Sequence, residues 1–204
     1  MKVTDPRSAF FDAIADQWDG WDDMAALAAR LAAGLAAFGV RPGETVLDVG
    51  CGTGNLTRAL LPMIGEEGRV VAVDISARML AAARAKVPDA RVSWYLASAD
   101  QLPLGDGACD RVICFSVWPH LQDFAAAARE LGRVLRRGGS LHVWHLASRE
   151  RINAIHAGAG EAVRGDILPP ATETAALLAG LGFEVTAAVD DQERYLVTAV
   201  RRPS

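Results

Sequence analysis

Short apolar runs alternate with helix-patterned segments along the first three quarters of the chain. Runs of four to eight apolar residues separated by amphipathic segments predict buried parallel strands joined by helices on both faces of a sheet. The intervening segments carry helix signals, such as the possible N-cap Ser76 and the stop at Val87-Pro88-Asp89. Five strands of this kind are expected, at Val46–Val49, Val70–Asp74, Val92–Leu96, Cys109–Ser116 and Ser140–His145.

The pattern changes near the end of the chain. Phe183–Val189 and Tyr195–Val200 alternate apolar and polar residues and are joined by the polar run Asp190-Asp-Gln-Glu. Alternation with a period of two is typical of half-buried strands, and a short polar connection joins antiparallel neighbours. The chain therefore ends in a predicted antiparallel hairpin.

Two further segments stand outside the strand–helix alternation. Residues 8–38 are expected to form two helices, the first with Phe10, Phe11, Ile14 and Trp18 at helical spacing. Residues 147–172 are longer than a usual connection of about 4–6 residues, and they contain a capped helix that begins at Ser148. A long insertion at this place is a candidate substrate lid.

Composition narrows the class of protein. With 204 residues, 51% of them hydrophobic, the chain is expected to form a single domain, residues 1–204. A net charge of −4 argues against nucleic acid as a partner. No apolar run reaches the ~18 residues of a membrane span, and the N-terminus lacks the apolar core of a secretory signal. We therefore expect a cytoplasmic protein without a membrane partner, as a monomer or homodimer.

A glycine-rich loop after the first strand is the strongest chemical signal. Gly50, Gly52 and Gly54 come at alternate positions between a strand and a helix, where a backbone without side chains approaches a ligand closely. The third glycine comes one residue too early for the dinucleotide fingerprint. Asp48 would repel a pyrophosphate and suits a cationic ligand better, whereas Asp74 has the spacing of an acid that binds a ribose diol.

These residues resemble the class I S-adenosylmethionine-dependent methyltransferases. Asp48–Gly54 is similar to the first motif of that family, and Asp74 to the acid after its second strand. Ala97–Pro103 resembles the adenine-binding segment, and Leu131–Leu141 the helix, glycine turn and fifth strand. The resemblance implies a Rossmann-like α/β fold, with a seven-stranded, mostly parallel sheet and an antiparallel last strand. It also implies S-adenosyl-L-methionine as the cofactor and methyl transfer, here to a small-molecule acceptor.

The resemblance also implies which residues hold the cofactor. Asp48 is expected near the methionine amino group, Asp74 at the ribose and Asp100 at the adenine amine. Ile75 and Met79 are expected to sandwich the adenine. Trp18 belongs either to an arm, residues 1–40, that folds over the cofactor or to a plain amphipathic helix. The full expected set is Trp18, Asp48, Gly50, Cys51, Gly52, Gly54, Asn55, Asp74, Ile75, Met79, Ala99, Asp100, Gln101, Phe115 and Ser116.

Histidines are the candidate catalytic bases, because imidazole titrates near neutral pH. His120 follows the fourth strand directly and is the first candidate, although it could instead cap a helix. His145 and His156 could act with Asp166 as a substrate clamp, a dyad or even a metal site, although no metal is expected. The three cysteines lack metal-ligand spacing and behave as small buried hydrophobic residues.

Other functions remain open at this point. A Rossmann-type oxidoreductase is disfavoured by Asp48 and by the position of the third glycine. A cofactor-binding sensor or partner subunit without turnover would share every motif named above, and so would a nucleic-acid or protein methyltransferase.

Overall fold

The computed structural model describes residues 5–203 and contains a seven-stranded sheet, so residues 1–4 of the expected arm and Ser204 lie outside the described residues. The strands are β1 (Thr45–Val49), β2 (Arg69–Asp74), β3 (Val92–Leu96), β4 (Cys109–Phe115), β5 (Leu135–His145), β6 (Phe183–Asp190) and β7 (Tyr195–Arg201). The helices are α1 (Arg7–Ile14), α2 (Met24–Ala37), α3 (Asn55–Ile64), α4 (Ala77–Lys86), α5 (Phe124–Val134), α6 (Arg149–Gly158), α7 (Glu161–Arg164) and α8 (Ala171–Gly180), with short 3-10 helices at Trp18–Trp21 and Trp118–His120.

The strand order is β3-β2-β1-β4-β5-β7-β6. Strands β1, β2 and β3 pair in parallel, as do β4 and β5. Strand β7 runs antiparallel to both β5 and β6. The predicted fold class, a mostly parallel α/β sheet with an antiparallel last strand, is confirmed.

By its internal contacts the chain divides into two compact units, one up to Ser98 and one from Ala99 onwards. In the first unit, β1 is an apolar core strand whose Val46 and Leu47 are fully buried. Helix α3 buries Leu60 and Ile64 completely. Arg91 donates hydrogen bonds to the carbonyls of Leu61 and Gly65 (3.1 and 2.8 Å), which satisfies carbonyl groups at the helix end.

The second unit is built on β4, β5 and the β6–β7 hairpin. Apolar side chains of the three inner strands, among them Val112, Val143 and Val197, are fully buried. Helix α5 packs closely against Phe183 at Gly132. A Cβ at this position would lie 3.2 Å from the Phe183 ring. The long segment predicted over residues 147–172 contains two helices, α6 and α7, and the start of α8.

Helix starts were predicted well because capping depends on local chemistry. The side chains of Ser76, Asp123 and Ser148 each accept a hydrogen bond from a backbone N–H in the first turn of α4, α5 and α6. Helix α3 begins at Asn55, because Gly54 adopts the left-handed conformation and ends the loop there.

The start of β5 was predicted wrongly. We expected a helix and a glycine turn before a strand that begins at Ser140, whereas β5 begins at Leu135. The pairing with β4 shifts register, since Cys109 lies opposite Leu135 but Arg111 opposite Ser140. The glycine pair at 138–139 therefore makes an irregularity within the strand rather than a turn before it, and a Cβ at position 139 would lie 2.7 Å from a carbonyl oxygen of β4.

Candidate functional site

The glycine loop of the first unit turns through three left-handed residues. Gly50, Gly52 and Gly54 have φ values of 65°, 52° and 83°, which side-chain-bearing residues rarely adopt. At Gly54 the space is also limited, because a Cβ would lie 3.2 Å from the Cβ of Ala83. Gly54 therefore serves the packing of the loop against α4.

Asp74, at the end of β2, ties the glycine loop to the next helix. Its Oδ2 accepts a hydrogen bond from the backbone N–H of Gly52 at 2.8 Å, and its Oδ1 accepts one from the backbone N–H of Ser76 at 2.8 Å. Each carboxylate oxygen has capacity for a further donor. Burial raises the pKa of Asp74, with backbone hydrogen bonds opposing the shift and the charge of Asp12 adding to it.

Asp48, at the carboxyl end of β1, is a second buried acid. It is 1% exposed, and its Oδ2 accepts a hydrogen bond from the hydroxyl of Thr57 at 2.6 Å. Burial raises the pKa of Asp48 to about 7; the Thr57 hydrogen bond opposes the shift and the charge of Asp74 adds to it. Burial also raises the pKa of the Cys51 thiol, and the two carboxylates add to the shift.

The environment of these acids favours a positively charged ligand. Within residues 5–203, the hydrogen-bond donors to Asp48 and Asp74 are hydroxyl and backbone N–H groups, which carry no net charge. A cation near the loop would offset the cost of burying two carboxylates. S-Adenosylmethionine has a sulfonium centre, an ammonium group and a ribose diol, so these residues fit it.

Three acids, which sequence reasoning missed, fasten the N-terminal arm to the first unit, two of them at the start of α4 and one beside the glycine loop. The side chain of Asp12 accepts hydrogen bonds from the Ser76 hydroxyl (2.6 Å) and the Arg78 backbone N–H (3.0 Å), and Asp16 pairs with the Arg78 side chain. Asp19 forms an ion pair with Lys86. We call these three acids with Ser76, Arg78 and Lys86 the arm latch. Their spacing of four and three residues along a predicted helix was the available signal.

Asp19 is the centre of a small polar network within the latch. Its Oδ1 accepts hydrogen bonds from the hydroxyl of Thr53 (2.6 Å) and the amide of Asn55 (3.0 Å). Burial alone would raise the pKa of Asp19, but hydrogen bonds from Lys86, Thr53 and Asn55 outweigh it and lower the pKa. Asn55, expected at the cofactor, thus has its side chain engaged by the arm.

Trp18 lies next to the glycine loop. A Cβ built at Gly52 would have the indole nitrogen of Trp18 3.9 Å away as its nearest neighbour. Trp18 also packs edge-on against Phe11, with ring centroids 6.2 Å apart. The arm thus covers the loop, an arrangement that supports the lid interpretation of Trp18, which remains a prediction.

The other expected cofactor residues divide between the two units. In the first unit, Met79 is buried and Ile75 is partly exposed. In the second, Ala99 is buried whereas Asp100 and Gln101 are exposed. Phe115 packs on Trp144 with ring centroids 5.0 Å apart, and Ser116 has a strained φ of 54°. The binding roles of all seven of these residues stay predictions.

The second unit brings two of the three candidate catalytic histidines, His120 and His156, into contact with Asp166, and the third, His145, lies near enough for their charges to affect its pKa. Nδ1 of His120 lies 2.7 Å from Oδ2 of Asp166, and Nδ1 of His156 lies 2.7 Å from the backbone carbonyl oxygen of the same residue. The rings of His120 and His156 have centroids 4.6 Å apart. We call His120, His145, His156 and Asp166 the histidine cluster.

His145 is the most deeply buried member of this cluster. It is 1% exposed, and neither ring nitrogen has a hydrogen-bond partner within the described part of the chain. Burial lowers the pKa of His145 to about 3, and the charges of His120 and His156 add to this shift. Burial also lowers the pKa of His156, against the effect of its hydrogen bond to Asp166.

Two polar side chains of α6 hold neighbouring parts of the chain in place. Arg149 forms an ion pair with Asp190 at 2.9 Å. The Asn153 side chain makes two hydrogen bonds with the backbone of Leu168, at 2.8 and 3.2 Å, two residues after Asp166. Arg149 and Asn153 therefore have structural partners, whereas His156 of the same helix reaches the cluster.

No metal centre is indicated. Between residues 5 and 203, no group of three or more His, Cys, Asp or Glu residues is arranged to hold a metal ion. Cys51, Cys109 and Cys114 are buried, as predicted, and form no disulfide. No helix in the described ranges is long and apolar enough to cross a membrane.

Three features of this chain define a class of nucleoside-binding α/β proteins, the class I methyltransferases. They are a mostly parallel sheet with an antiparallel last strand, a glycine loop after β1 and an acid at the end of β2. Comparison with known proteins agrees, because the family model of a methyltransferase domain matches residues 47–143. The chain belongs to the class I S-adenosylmethionine-dependent methyltransferases.

Among curated proteins, the chain is 33% identical over 155 residues to the ubiquinone/menaquinone biosynthesis C-methyltransferase UbiE of Shewanella sp. (strain ANA-3). That match covers 70% of this chain and 59% of the relative, so the chain spans less than two thirds of the relative's length. A SAM-dependent methyltransferase from Aquifex aeolicus is 26% identical, with a TM-score of 0.69, over 82% of this chain and 87% of that one.

A methyltransferase from Haloferax volcanii, solved with its activator Trm112, has the same fold. The TM-score is 0.78 at 24% identity, over 95% of this chain and 98% of that chain. The expected family and fold are thus confirmed.

Proposed function

We propose that this protein uses S-adenosyl-L-methionine to methylate a small-molecule acceptor. The observation that carries the proposal is the pair of buried carboxylates, Asp48 and Asp74, beside a left-handed glycine loop. Both acids have raised pKa values, and the hydrogen-bond donors that reach them within the described residues carry no charge. A bound cationic nucleoside would therefore offset the cost of burying the two carboxylates. A dinucleotide would instead add negative charge beside them.

The small-molecule part of the proposal has separate support. The UbiE relatives are named for the biosynthesis of ubiquinone and menaquinone, which are small molecules. The net charge of −4 disfavours nucleic acid as the acceptor. The proposed partner is therefore a small acceptor.

Each group of the cofactor has a residue proposed to bind it. The Asp48 carboxylate attracts the ammonium and sulfonium end, and Asp74 accepts hydrogen bonds from the ribose hydroxyls. Ile75 and Met79 contact the adenine, and Asp100 accepts from its amine. Trp18 and the arm latch keep water from the loop, which strengthens the electrostatic contacts.

His120 is the proposed general base in the second unit. S-Adenosylmethionine, when bound, supplies a methyl group on a positively charged sulfur, which departs as a neutral thioether. Such a displacement needs alignment and a dry site, and it needs a base only when the acceptor must lose a proton. Imidazole suits that task near neutral pH.

Equilibrium binding tests the cofactor assignment. Titration calorimetry with S-adenosylhomocysteine should give micromolar affinity, and NADH should give no heat of binding. A second assay should follow transfer of a labelled methyl group to a panel of small acceptors. NADH binding without S-adenosylhomocysteine binding would contradict the proposal in favour of an oxidoreductase. Tight cofactor binding without transfer to any acceptor would instead favour a sensor or partner subunit.

A further inference from the structure

We propose that Asp12 of the N-terminal arm is a positioning residue for Asp74, and that it acts through Ser76. This inference rests on the proposed function, in which Asp74 accepts hydrogen bonds from the ribose hydroxyls of the cofactor. It follows from the place of Ser76, which is bonded to both acids. All three residues belong to the unit that ends at Ser98, which also holds the glycine loop.

Ser76 connects the two carboxylates through different atoms. Its backbone N–H donates to Oδ1 of Asp74 at 2.8 Å, and its hydroxyl oxygen lies 2.6 Å from Oδ1 of Asp12. An ionised carboxylate is an acceptor only, so the hydroxyl is the donor to Asp12. The same hydroxyl oxygen accepts a hydrogen bond from the backbone N–H of Met79 at 3.0 Å and so caps α4. The Ser76 side chain is therefore fixed from two sides.

The direction of the Ser76 hydroxyl affects what Asp74 can accept. A serine hydroxyl has one proton to donate, and a proton donated to Asp12 is not available to Asp74. This matters at an enclosed position, because Ser76 is fully buried and water does not compete for its hydroxyl. Asp12 thus leaves acceptor capacity on Asp74 for the hydroxyl groups of a sugar.

Asp12 also holds the backbone that orients Asp74. Its Oδ1 accepts a second hydrogen bond, from the backbone N–H of Arg78 at 3.0 Å. One carboxylate oxygen therefore binds groups at both ends of residues 76–78, at the start of α4, where the positive end of the helix dipole favours an acid. The N–H group of Ser76 that bonds to Asp74 lies on this same stretch. Removing Asp12 would free the stretch to move relative to Asp74.

The position of Asp12 has an electrostatic cost that apolar packing does not explain. The charge of Asp12 adds to the raised pKa of Asp74, as expected for two acids that lie near each other. Helix α1, which carries Asp12, has no buried residue, so apolar burial does not fix this position. What holds Asp12 here is the pair of hydrogen bonds that it accepts from the start of α4. An acid that lies near Asp74 at a cost, and bonds to the residue that orients it, fits a positioning role.

Positioning should act on the ribose end of the ligand. A binding group that is already oriented loses less conformational freedom when the ligand arrives. An Asp74 carboxylate that moves more freely would still carry its charge, but its hydrogen bonds to two neighbouring hydroxyl groups would weaken. The loss of Asp12 should therefore weaken the binding of a ligand with both ribose hydroxyls, and not of one that lacks them.

Titration calorimetry on the intact protein tests this with two ligands, S-adenosylhomocysteine and its dideoxy analogue, which lacks both ribose hydroxyls. Asp12→Ala should lower the affinity for S-adenosylhomocysteine about ten-fold, as for the loss of one hydrogen bond of ordinary strength. The affinity for the analogue should stay the same. Asp12→Asn should restore the affinity for S-adenosylhomocysteine, because the amide oxygen can still accept both hydrogen bonds.

Asp16→Ala is the matched control, because Asp16 lies further along the arm and pairs with the side chain of Arg78 rather than with Ser76. This change loosens the arm without removing a bond to Ser76, so any loss of affinity should be equal for the two ligands. A loss in Asp12→Ala that is also equal for the two ligands, or no loss at all, would overturn the positioning role. A selective loss as large in Asp16→Ala would assign the effect to the arm as a whole, and would overturn the role as well.

A second measurement uses the unmodified protein, so the role is testable even if a substitution prevents folding. Coupling is reciprocal, so a sugar diol bound at Asp74 should in turn stabilise the contact between Asp12 and Ser76. Amide hydrogen exchange within α1 should then be slower with saturating S-adenosylhomocysteine than with the saturating analogue, and equal rates would contradict the role. Failure of S-adenosylhomocysteine to bind, or equal affinity of the unmodified protein for both ligands, would instead contradict the proposed function, so the two failures are distinguishable.

Discussion

At the scale of single residues, Asp48 is a buried carboxylate, and we propose that a cationic ligand offsets the cost of burying it. The residue is 1% exposed, with a hydroxyl partner and a second acid, Asp74, that adds to the pKa shift. Burying a carboxylate in this way costs stability unless it is protonated or meets a cation. In the proposed function this cost has a use, because a charge that water does not screen would bind a sulfonium ligand more tightly.

The pH dependence of stability tests this view of Asp48. Its pKa is about 7 in the folded protein against a reference value of 3.8, so the ionised form is disfavoured on folding. The cost is absent below about pH 4, grows as the pH rises, and levels off above about pH 7. Across that window Asp48→Asn, which avoids the cost, should gain about 4 kcal/mol in unfolding free energy relative to the unmodified protein.

Urea unfolding of both proteins without ligand, at pH 4.5, 6 and 8, measures this difference. Asp191→Asn, in the turn between β6 and β7, is a control acid whose pKa is lowered by backbone hydrogen bonds rather than raised by burial. Parallel pH profiles for Asp48→Asn and the unmodified protein would show that Asp48 is already ionised at no cost.

Residue roles were predictable where one residue's local chemistry decides them. The glycine conformations, the three helix caps and the buried cysteines all belong to this group. The pairing of His120 with Asp166 was not predictable, because it joins positions 46 residues apart through the path of a long segment. No spacing rule encodes such a contact, and the sequence only suggested Asp166 as a partner of the other two histidines.

At the scale of elements, the N-terminal arm is held by charge rather than by a large apolar face. Helix α1 has no buried residue, whereas Asp12, Asp16 and Asp19 all bond to groups in or next to α3 and α4. An element held by a few partly exposed polar contacts opens at low cost. The arm is therefore suited to open for cofactor exchange.

Lys86→Met tests the latch, because it removes the ammonium but keeps most of the side chain. Losing a charged partner of Asp19, at a site about one third exposed, should cost about 1 kcal/mol. Amide hydrogen exchange within residues 7–21 should accelerate about five-fold. Arg84→Met is the matched control, since Arg84 lies on the same helix but donates to Trp94. Equal exchange in both variants would contradict the latch.

Element positions followed from the apolar pattern except where tertiary pairing overrode it. Strand β3 was predicted with its observed limits, Val92–Leu96. Strand β5 was not, because its first residues carry Arg136, Arg137 and two glycines, which indicate a turn when considered alone. Pairing with Cys109 of β4 extends the strand to Leu135 in spite of that composition.

At the scale of the whole molecule, the chemistry is distributed by unit. The unit up to Ser98 holds the glycine loop, both buried acids and the latch, whereas the unit from Ala99 onwards holds the histidine cluster. The motifs predicted where the glycine loop, the two acids and the histidines lie along the chain, because each parallel strand delivers one functional segment at its carboxyl end, but they did not predict the latch. The expectation of a single domain remains a prediction.

A crystal structure of the protein with S-adenosylhomocysteine is the measurement that addresses the cofactor assignment most directly. We expect both ribose hydroxyls within about 3 Å of the Asp74 carboxylate, as for ordinary hydrogen bonds. We also expect the ligand's ammonium group on the Asp48 side of the glycine loop. A nucleoside bound elsewhere, or an Asp74 carboxylate that contacts only Gly52 and Ser76 in the complex, would contradict the assignment.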